Sequence, residues 1–491
     1  VRPTEEQLDI IRTVAKGENL VINAFAGSGK TTTLEMIAEE MNNKRILYLV
    51  YNKSMEQEAK KRFKQEYVKI TTIHSLAYRY MTYSLDLKNR QLGNVSYLDV
   101  ANKLNIDPRI AKLALETYKY YLNSDLVEMN KYKLLSYLAN EPNYLVNVLE
   151  EYARSALSYD KFVLLMNSES KDRINKFLKE HVLGKCFDII KEIDNMISHG
   201  ELTMPHDYYL KQFHIALLNN QVKMKDYDLV LLDEAQDSND VTMAIIANLS
   251  GQKICVGDRY QNIYSFRGSK NVMDILPFTQ KFLRVSFRFG SNIANELNKL
   301  VKTYLNEDIE IIGVGGNKHT GRDAYIARSN SFLIKLISKL NSFFLTRDIS
   351  EVFEPLINIH YIVTGQRDKV SNKFSYMTRF HSISEILDFA KHVNDVELIN
   401  AAETYQIFRG GIFDLKNKAK SCNDVNANIV LTTAHSSKGL EFDKCYVCDD
   451  FAENIARYND NLITSQYKYR QEVNTYYVAC SRAIKDNIHF C

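Results

Sequence analysis

Tryptophan is absent from this 491-residue chain, proline occurs only 6 times, and the cysteines number 7. An odd, widely scattered set of cysteines argues against a disulfide framework. The single CxxC, Cys445 and Cys448 in KCYVCDD, lies in an apolar run that reads as a strand. A spacing of three on a strand points the two thiols to opposite faces, so neither a metal site nor a redox pair is expected there. No window of about 18 uncharged apolar residues occurs, and no membrane-spanning helix is expected. The opening VRPTEEQ has neither a basic-plus-apolar leader nor a transit-like segment, which predicts an intracellular protein of cytoplasm or nucleus. Charge of one sign is lacking too: 63 basic against 60 acidic residues leave a net +3. That balance does not by itself point to nucleic acid, and leaves room only for a local basic groove. The run EAKKRFKQEYVK (58–69) reads as a solvated helix face. There is no fixed-period repeat and no low-complexity segment.

What is present is a 45% hydrophobic, 25% charged composition typical of globular domains, with 31 tyrosines that read mostly as core or amphipathic surface. Short apolar runs alternate with helical patterns in two blocks, the signature of an α/β fold with parallel sheets. ENLVINA, RILYLV, YVKITT, DLVLLDE and QKICVGD form the strands of the first block. The second takes QKFLRVSF, DAYIARS, IHYIVTG, NIVLTTAH, DKCYVCD and NIHF. Each block is interrupted. The expected organisation is a nucleotide-binding domain of residues 1–77 and 201–278 with a helical insertion at 78–200. A second domain of residues 279–345 and 424–491 carries a shorter insertion at 346–423. In parallel sheets ligands sit at the carboxyl ends of the strands, so a cleft between the blocks is the expected site.

The first block opens with NAFAGSGKTTTL (23–34), a strand running into a glycine-rich turn and then a helix. Ala26, Gly27, Ser28 and Gly29 let backbone N–H groups curl around phosphates. Lys30 reaches the β and γ phosphates, Thr31 offers a hydroxyl to Mg²⁺, and Thr32 continues the cradle. The usual first glycine is Ala24, which suffices if it simply ends the strand with negative φ. In DLVLLDEAQD (228–237), Asp233 follows the apolar run and is placed to hold the Mg²⁺ shell. Glu234 is placed to polarise an attacking water. ATP and Mg²⁺ are therefore the expected ligands.

AFAGSGKTT, LLDEAQD, VGDRYQNIYSFRG (256–268), LRVSFR (283–288), TTAHSSKGLEF (432–442) and YYVACSRA (476–483) stand in the order found in superfamily 1A DNA helicases of the UvrD, Rep and PcrA kind. The chain resembles that family across both blocks. VYNKSMEQEAKKRF, TTIHSLAYR and MPHDYYLKQFH are most similar to the F-box DNA helicases; the sequence reaches its first nucleotide motif almost at once, and no F-box is expected ahead of it. The resemblance implies two RecA-like P-loop domains. It implies that Gln7 reads the adenine edge, Phe287 stacks on adenine and Glu441 contacts the ribose. Gln261 would touch the γ-phosphate, and Arg288 and Arg482 would act as arginine fingers. Along the strand it implies contacts from Tyr51, Asn52, Thr72, His74, Thr433 and His435, with Tyr264 and Phe266 as stacking platforms beside Arg267. Two departures stand out. The aromatic expected two residues before Asn52-Lys53 is Val50, with Tyr51 one place later, and the second insertion is short.

The resulting expectation is a monomeric ATP-dependent translocase and helicase. It would move 3′ to 5′ on single-stranded DNA and act at junctions of single- and double-stranded DNA. One alternative is a DNA-stimulated ATPase that strips recombinase or other proteins from DNA with little unwinding. Another, from a different class, is a nucleotide-gated DNA-binding subunit of a larger complex. The tyrosine-rich first insertion is the expected seat of duplex or partner contacts.

Overall fold

The runs LVINA and ILYLV bury every side chain, which requires strands covered on both faces. In the computed structural model they are β1 (Leu20–Ala24) and β2 (Ile46–Val50), joined by β3 (Val68–Thr72), β4 (Leu229–Leu232), β5 (Gln252–Gly257) and β6 (Thr279–Leu283). The sheet order is β3-β2-β4-β5-β1-β6, and every pairing is parallel. The structure describes residues 2–142, 144, 145, 148, 175–263, 272–315, 319–392, 395–458, 463–485 and 488–490. They divide into two compact units, the first ending at Arg284 and the second running from Val285.

That boundary corrects one expectation. QKFLRVSF is not one strand of the second block: it is cut at Arg284, and its first part pairs with β1 from Leu20↔Thr279 to Ala24↔Leu283. Polar side chains fix this placement. Gln280 Oε1 accepts from Asn23 Nδ2 at 2.7 Å, Lys281 reaches Asp9 at 2.7 Å, and Arg284 reaches Glu6 at 3.1 Å. None of these partners lies near the run in sequence.

The first insertion is helical, as expected, with helices Tyr97–Leu104, Pro108–Asn123, Lys131–Ala139 and Gly184–His199. Asp107 caps the second of these through the Arg109 N–H, and Pro108 stands in the first turn, where its missing N–H costs nothing. A bridge between Leu92 and Met204 closes the insertion at its base. Tyr118, Tyr120 and Tyr121 are buried, and the Tyr118 hydroxyl donates to Asp194 at 2.6 Å. Two other tyrosines of the insertion, Tyr83 and Tyr132, are largely exposed, at 88% and 75%. Tyr144 is buried with the first three, as burial of large amphipathic rings favours, while Tyr137 is half-buried.

In the second unit a two-stranded ladder, β7 (Val285–Ser286) with β8 (Ile312–Gly313), precedes a five-stranded parallel sheet. That sheet contains β9 (Asp323–Ala327), β10 (Phe344–Leu345), β11 (Ile429–Thr433), β12 (Cys445–Val447) and β13 (Ile488–Phe490), in the order β10-β11-β9-β12-β13. IHYIVTG, expected as a strand, is instead the end of the helix Ile349–Val363. Its apolar residues continue a helical spacing begun at Val352 and Phe353 and carried on by Leu356, Ile359 and Ile362, all buried. The short β10 occupies the sheet position beside β11. Segment 346–423 contains the further helices Ile383–His392, Val396–Phe408 and Ile412–Cys422. Its apolar side chains share one core with Ala327 and Leu431 of the sheet. Cys445 and Cys448 are both buried, and among the described residues no cluster of His, Cys, Asp and Glu has metal-holding geometry.

Candidate active site

Ala24 ends β1 fully buried and with negative φ, so the first glycine of the usual loop is dispensable here. Gly27 and Gly29 take φ values of 75° and 78°, the left-handed region that glycine enters without steric cost. They turn the chain into the helix Lys30–Glu40, which begins without any side-chain cap. Its first N–H groups are therefore open to an anion. The Ser28 hydroxyl, 2% exposed, is buried with no hydrogen-bond partner, the kind of orphan that a bound phosphate would satisfy. Thr31 lies in the first turn, and the Thr32 hydroxyl accepts from Arg62 at 3.1 Å. Gln7 is buried against this helix. Its Oε1 accepts from the Thr4 N–H at 2.9 Å and its Nε2 donates to Thr33 Oγ1 at 3.0 Å, so the amide serves as helix cap and tether.

Three carboxylates converge on Lys30. The ammonium lies 3.2 Å from Glu234 Oε1. Burial pulls the lysine pKa down, but the charges of Glu234, Asp258 and Asp233 outweigh it and leave the group above its ordinary value. Asp233, at the end of β4, accepts from the Tyr48 hydroxyl at 2.8 Å and from the Glu234 N–H at 2.9 Å. Burial, then the neighbouring Glu234 charge, push its carboxyl up to about 6. Glu234 itself sits in the left-handed region at φ 51°, costly for a non-glycine residue and of the kind retained at functional sites. Burial also raises Asp258, which accepts from Gln261 Nε2 at 2.7 Å. Three acids against one lysine leave excess negative charge, which suits a divalent cation. Mg²⁺ needs only one or two protein oxygens alongside phosphates and waters, so Asp233 and Thr31 fit as its protein ligands.

Gln236 ties the motifs together. Its Nε2 donates to Glu234, its Oε1 accepts from the Asp258 N–H at 3.1 Å, and its carbonyl accepts from Asn262 at 2.6 Å. Sequence reasoning missed Gln236, Asp258 and Tyr48. A signal existed for Asp258, an acid directly after the apolar run of β5, whereas Tyr48 reads as an ordinary core residue of ILYLV. A Cβ on Gly257 would stand 2.2 Å from Gln236 Oε1. Gly257→Ala is therefore expected to push this buried side chain out of its bonds and crowd the Ala235 and Gln236 backbone, lowering ATP turnover and with it the thermal unfolding midpoint. Steady-state ATPase assays beside a melting curve check this; unchanged turnover would remove Gln236 from the site.

The second unit gathers the other predicted residues. Arg288 donates from Nε to Glu441 Oε1 at 2.9 Å and from Nη1 to the Ser481 carbonyl at 2.9 Å. The Arg482 side chain, 1% exposed, donates from Nε to the Val478 carbonyl at 2.9 Å and from Nη2 to Ser481 Oγ at 2.8 Å. Phe287, next to Arg288, is 41% exposed. Glu441, expected at a ribose, is thus held by Arg288 in this structure.

The strand-facing set divides by exposure. Val50 is buried in β2, and Tyr51, one residue on, is 37% exposed. The Asn52 side chain caps the helix Lys53–Arg62 through the Met55 N–H at 2.9 Å. Thr72 and Thr433 are both buried caps. Thr72 Oγ1 accepts from the Ser75 N–H at 3.1 Å, and Thr433 Oγ1 accepts from the Ser436 N–H at 3.4 Å. TTIHS and TTAHS thus end β3 and β11 in the same way, delivering His74 and His435 to the following turn. Tyr264, Phe266 and Arg267 lie outside the described residues. A cavity of about 690 Å³ in the first unit has Tyr51, His74, Asp233, Glu234 and Asp237 among its lining residues, together with residues of helix Pro108–Asn123.

The description of the UvrD/REP helicase N-terminal domain matches residues 4–282, more than half of the chain. The chain belongs to the UvrD/REP helicase family. It is 25% identical to F-box DNA helicase 1 of Gallus gallus over 99% of this chain and 48% of that protein. Against F-box DNA helicase protein 1 of Schizosaccharomyces pombe it is 26% identical, over 98% of this chain and 56% of the relative. The chain spans about half the length of the F-box helicases it matches. Its two parallel-sheet units are the RecA-like pair of this family, and the Lys30 cluster lies in the unit that the family description covers. Among the described residues no helix is long and apolar enough to cross a membrane.

Proposed function

We propose that this UvrD-like chain is an ATP-driven motor on single-stranded DNA, moving 3′ to 5′ and separating strands at junctions. The observation that carries the proposal is the Lys30 cluster. Lys30, Asp233, Glu234, Asp258 and Gln261 are held in one polar network at the carboxyl ends of β1, β4 and β5, beside a loop whose buried Ser28 hydroxyl lacks a partner. A nucleotide triphosphate competes for Lys30 and draws it off Glu234. Glu234 is thereby released to take a proton from water only when the phosphates are present. Gln261, oriented by Asp258, faces the γ-phosphate and changes its contact when that group leaves. Thr31 and Asp233 would hold Mg²⁺, which would supply positive charge to the phosphates. Arg288 and Arg482 would supply fixed positive charge to the transferring phosphoryl group, as arginine fingers do. Tyr51, His74, His435 and the segment containing Tyr264, Phe266 and Arg267 grip the strand, so that each cycle becomes a displacement.

ATP turnover is expected to rise at least about tenfold with single-stranded DNA, a coupling of about 1.4 kcal/mol. Strand displacement is expected from 3′-tailed duplexes and not from 5′-tailed ones. Turnover indifferent to DNA would sink the motor reading. The second reading, removal of recombinase from DNA with little unwinding, draws support from the helices of 346–423. They pack into the core of the second sheet rather than forming a core of their own. Strong DNA-stimulated turnover and clearance of a recombinase filament, with no strand displacement from either tail, would favour it.

A further inference from the structure

Resting on the motor reading, one question is how a strand held near His74 reaches Glu234. A directional hydrogen-bond chain crosses the wall of the cavity between them. His74 Nε2 lies 3.2 Å from Asp207 Oδ1, and Asp207 Oδ2 accepts from Asn123 Nδ2 at 3.2 Å. Asn123 Oδ1 in turn accepts from Asn239 Nδ2. Asn239 Oδ1 accepts from the Thr242 N–H at 3.0 Å, capping the helix Asp240–Asn248. Asn239 directly follows the short turn Ala235–Asp237 and Ser238, and that turn carries Gln236, the partner of Glu234 and Asp258.

Every polarity in the chain is fixed. Asn123 uses both amide hydrogens, the second on the Lys119 carbonyl at 2.9 Å, so its oxygen must face Asn239. Asn239 must then present its amide nitrogen, since its oxygen is committed to the cap. Burial pushes the Asp207 carboxyl up, but the hydrogen bond and charge of His74 and the Asn123 amide outweigh it and keep the group below its ordinary value. An ionised Asp207 can only accept, which requires the proton on His74 Nε2 and directs Nδ1 away from the chain. The middle member, Asn123, is the last residue of an insertion helix. A second link joins the same insertion to the same capped helix: the Tyr137 hydroxyl donates to Asp240 Oδ2 at 2.9 Å. Lys211 anchors the end of the insertion helix, donating to the Ser124 carbonyl at 2.8 Å from a fully buried position.

We infer that Asn123, Asp207 and Asn239 form a positioning relay through which strand contact at His74 sets the hydrolysis turn, routing DNA stimulation through the first insertion. A shift of the His74 ring moves Asp207. With the Asn123 amide fully committed and the Asn239 oxygen held by its cap, the movement passes to Asn239 and tilts the turn that holds Gln236 against Glu234. Asn123 lies in the cavity wall and bonds to Asp207, Asn239 and the Lys119 carbonyl rather than to Lys30 or Glu234, so its loss should spare the chemistry and remove the communication.

The test compares full-length Asn123→Leu with wild type in three readouts. These are ATP turnover without DNA, turnover with saturating oligo-dT, and oligo-dT affinity by fluorescence anisotropy. The expected result is unchanged basal turnover and affinity with DNA-stimulated turnover lowered about tenfold, within the range of allosteric couplings. Asn239→Asp is the second variant. It keeps the helix cap but turns a carboxylate onto the Asn123 oxygen, and the same selective loss is expected. In a double-mutant cycle, His74→Ala combined with Asn123→Leu should be no worse than His74→Ala alone. Full stimulation in Asn123→Leu, equal losses in basal and stimulated turnover, or additive effects in the cycle would each overturn the relay. Wild-type turnover that ignores DNA would instead overturn the motor reading, and the relay with it.

Discussion

Glu234→Gln is expected to lower ATP turnover by about 10²–10⁴-fold, the usual worth of a positioned general base, while ATP still binds. The substitution preserves shape and retains an oxygen for Gln236 to donate to, so the turn should survive. It removes the one carboxylate oxygen that pairs with Lys30 at 3.2 Å. With that partner gone, Lys30 is held only by Asp233 and Asp258, and nucleotide affinity should be maintained or rise. The residue's left-handed backbone at φ 51° supports the same role, because the strain aims the side chain beside Lys30 and persists only where the surroundings over-determine it. Turnover and nucleotide affinity, measured separately by phosphate release and by binding of a fluorescent ATP analogue, decide the matter. A variant retaining more than about a tenth of wild-type turnover would remove Glu234 from the role of base.

Arg288→Ala is expected to cost about 10³–10⁵-fold in turnover, the range for arginine fingers. In the structure its guanidinium is held by Glu441 and the Ser481 carbonyl, both at 2.9 Å, which fixes the plane of the group and leaves it pre-oriented. Lysine cannot reproduce that planar fork, so Arg288→Lys should recover only a small part of the loss. Removing Arg288 also takes a cation away from half-buried Glu441, and some destabilisation of the second unit should accompany the change. Single-turnover hydrolysis with pre-bound ATP separates the two effects. Hydrolysis within tenfold of wild type in Arg288→Ala, with the thermal midpoint lowered, would make the arginine structural rather than catalytic.

The nucleotide half of the site was legible because its chemistry is local. A strand, two glycines, a lysine and a threonine follow one another within NAFAGSGKTTTL, and the structure gives each the conformation its residue type favours. The carboxylates after β4 were legible for the same reason. Gln236, Asp258 and Tyr48 were not, because their roles exist only across three strands of the sheet. The aromatic at Tyr51 rather than Val50 could be read from spacing; the fold buries Val50 in β2 and leaves Tyr51 partly exposed. Thr72 and Thr433 were read as strand contacts from motif resemblance alone. In the fold their hydroxyls accept from the N–H groups of Ser75 and Ser436, capping the turns that carry His74 and His435.

By itself the sequence determined the α/β class, the parallel sheets, the phosphate loop and the family, because these follow from short-range periodicity and from motifs whose order survives in one dimension. Only the tertiary structure decided where QKFLRVSF divides, that IHYIVTG is helical, that Tyr118, Tyr120 and Tyr121 of the insertion are buried, and that the shorter second insertion shares a core with its sheet. It also decided which side chains connect the motifs. The physical reason is the same in each case: apolar runs state that a segment is buried, while the partner that buries it, or satisfies its polar atoms, comes from residues far along the chain.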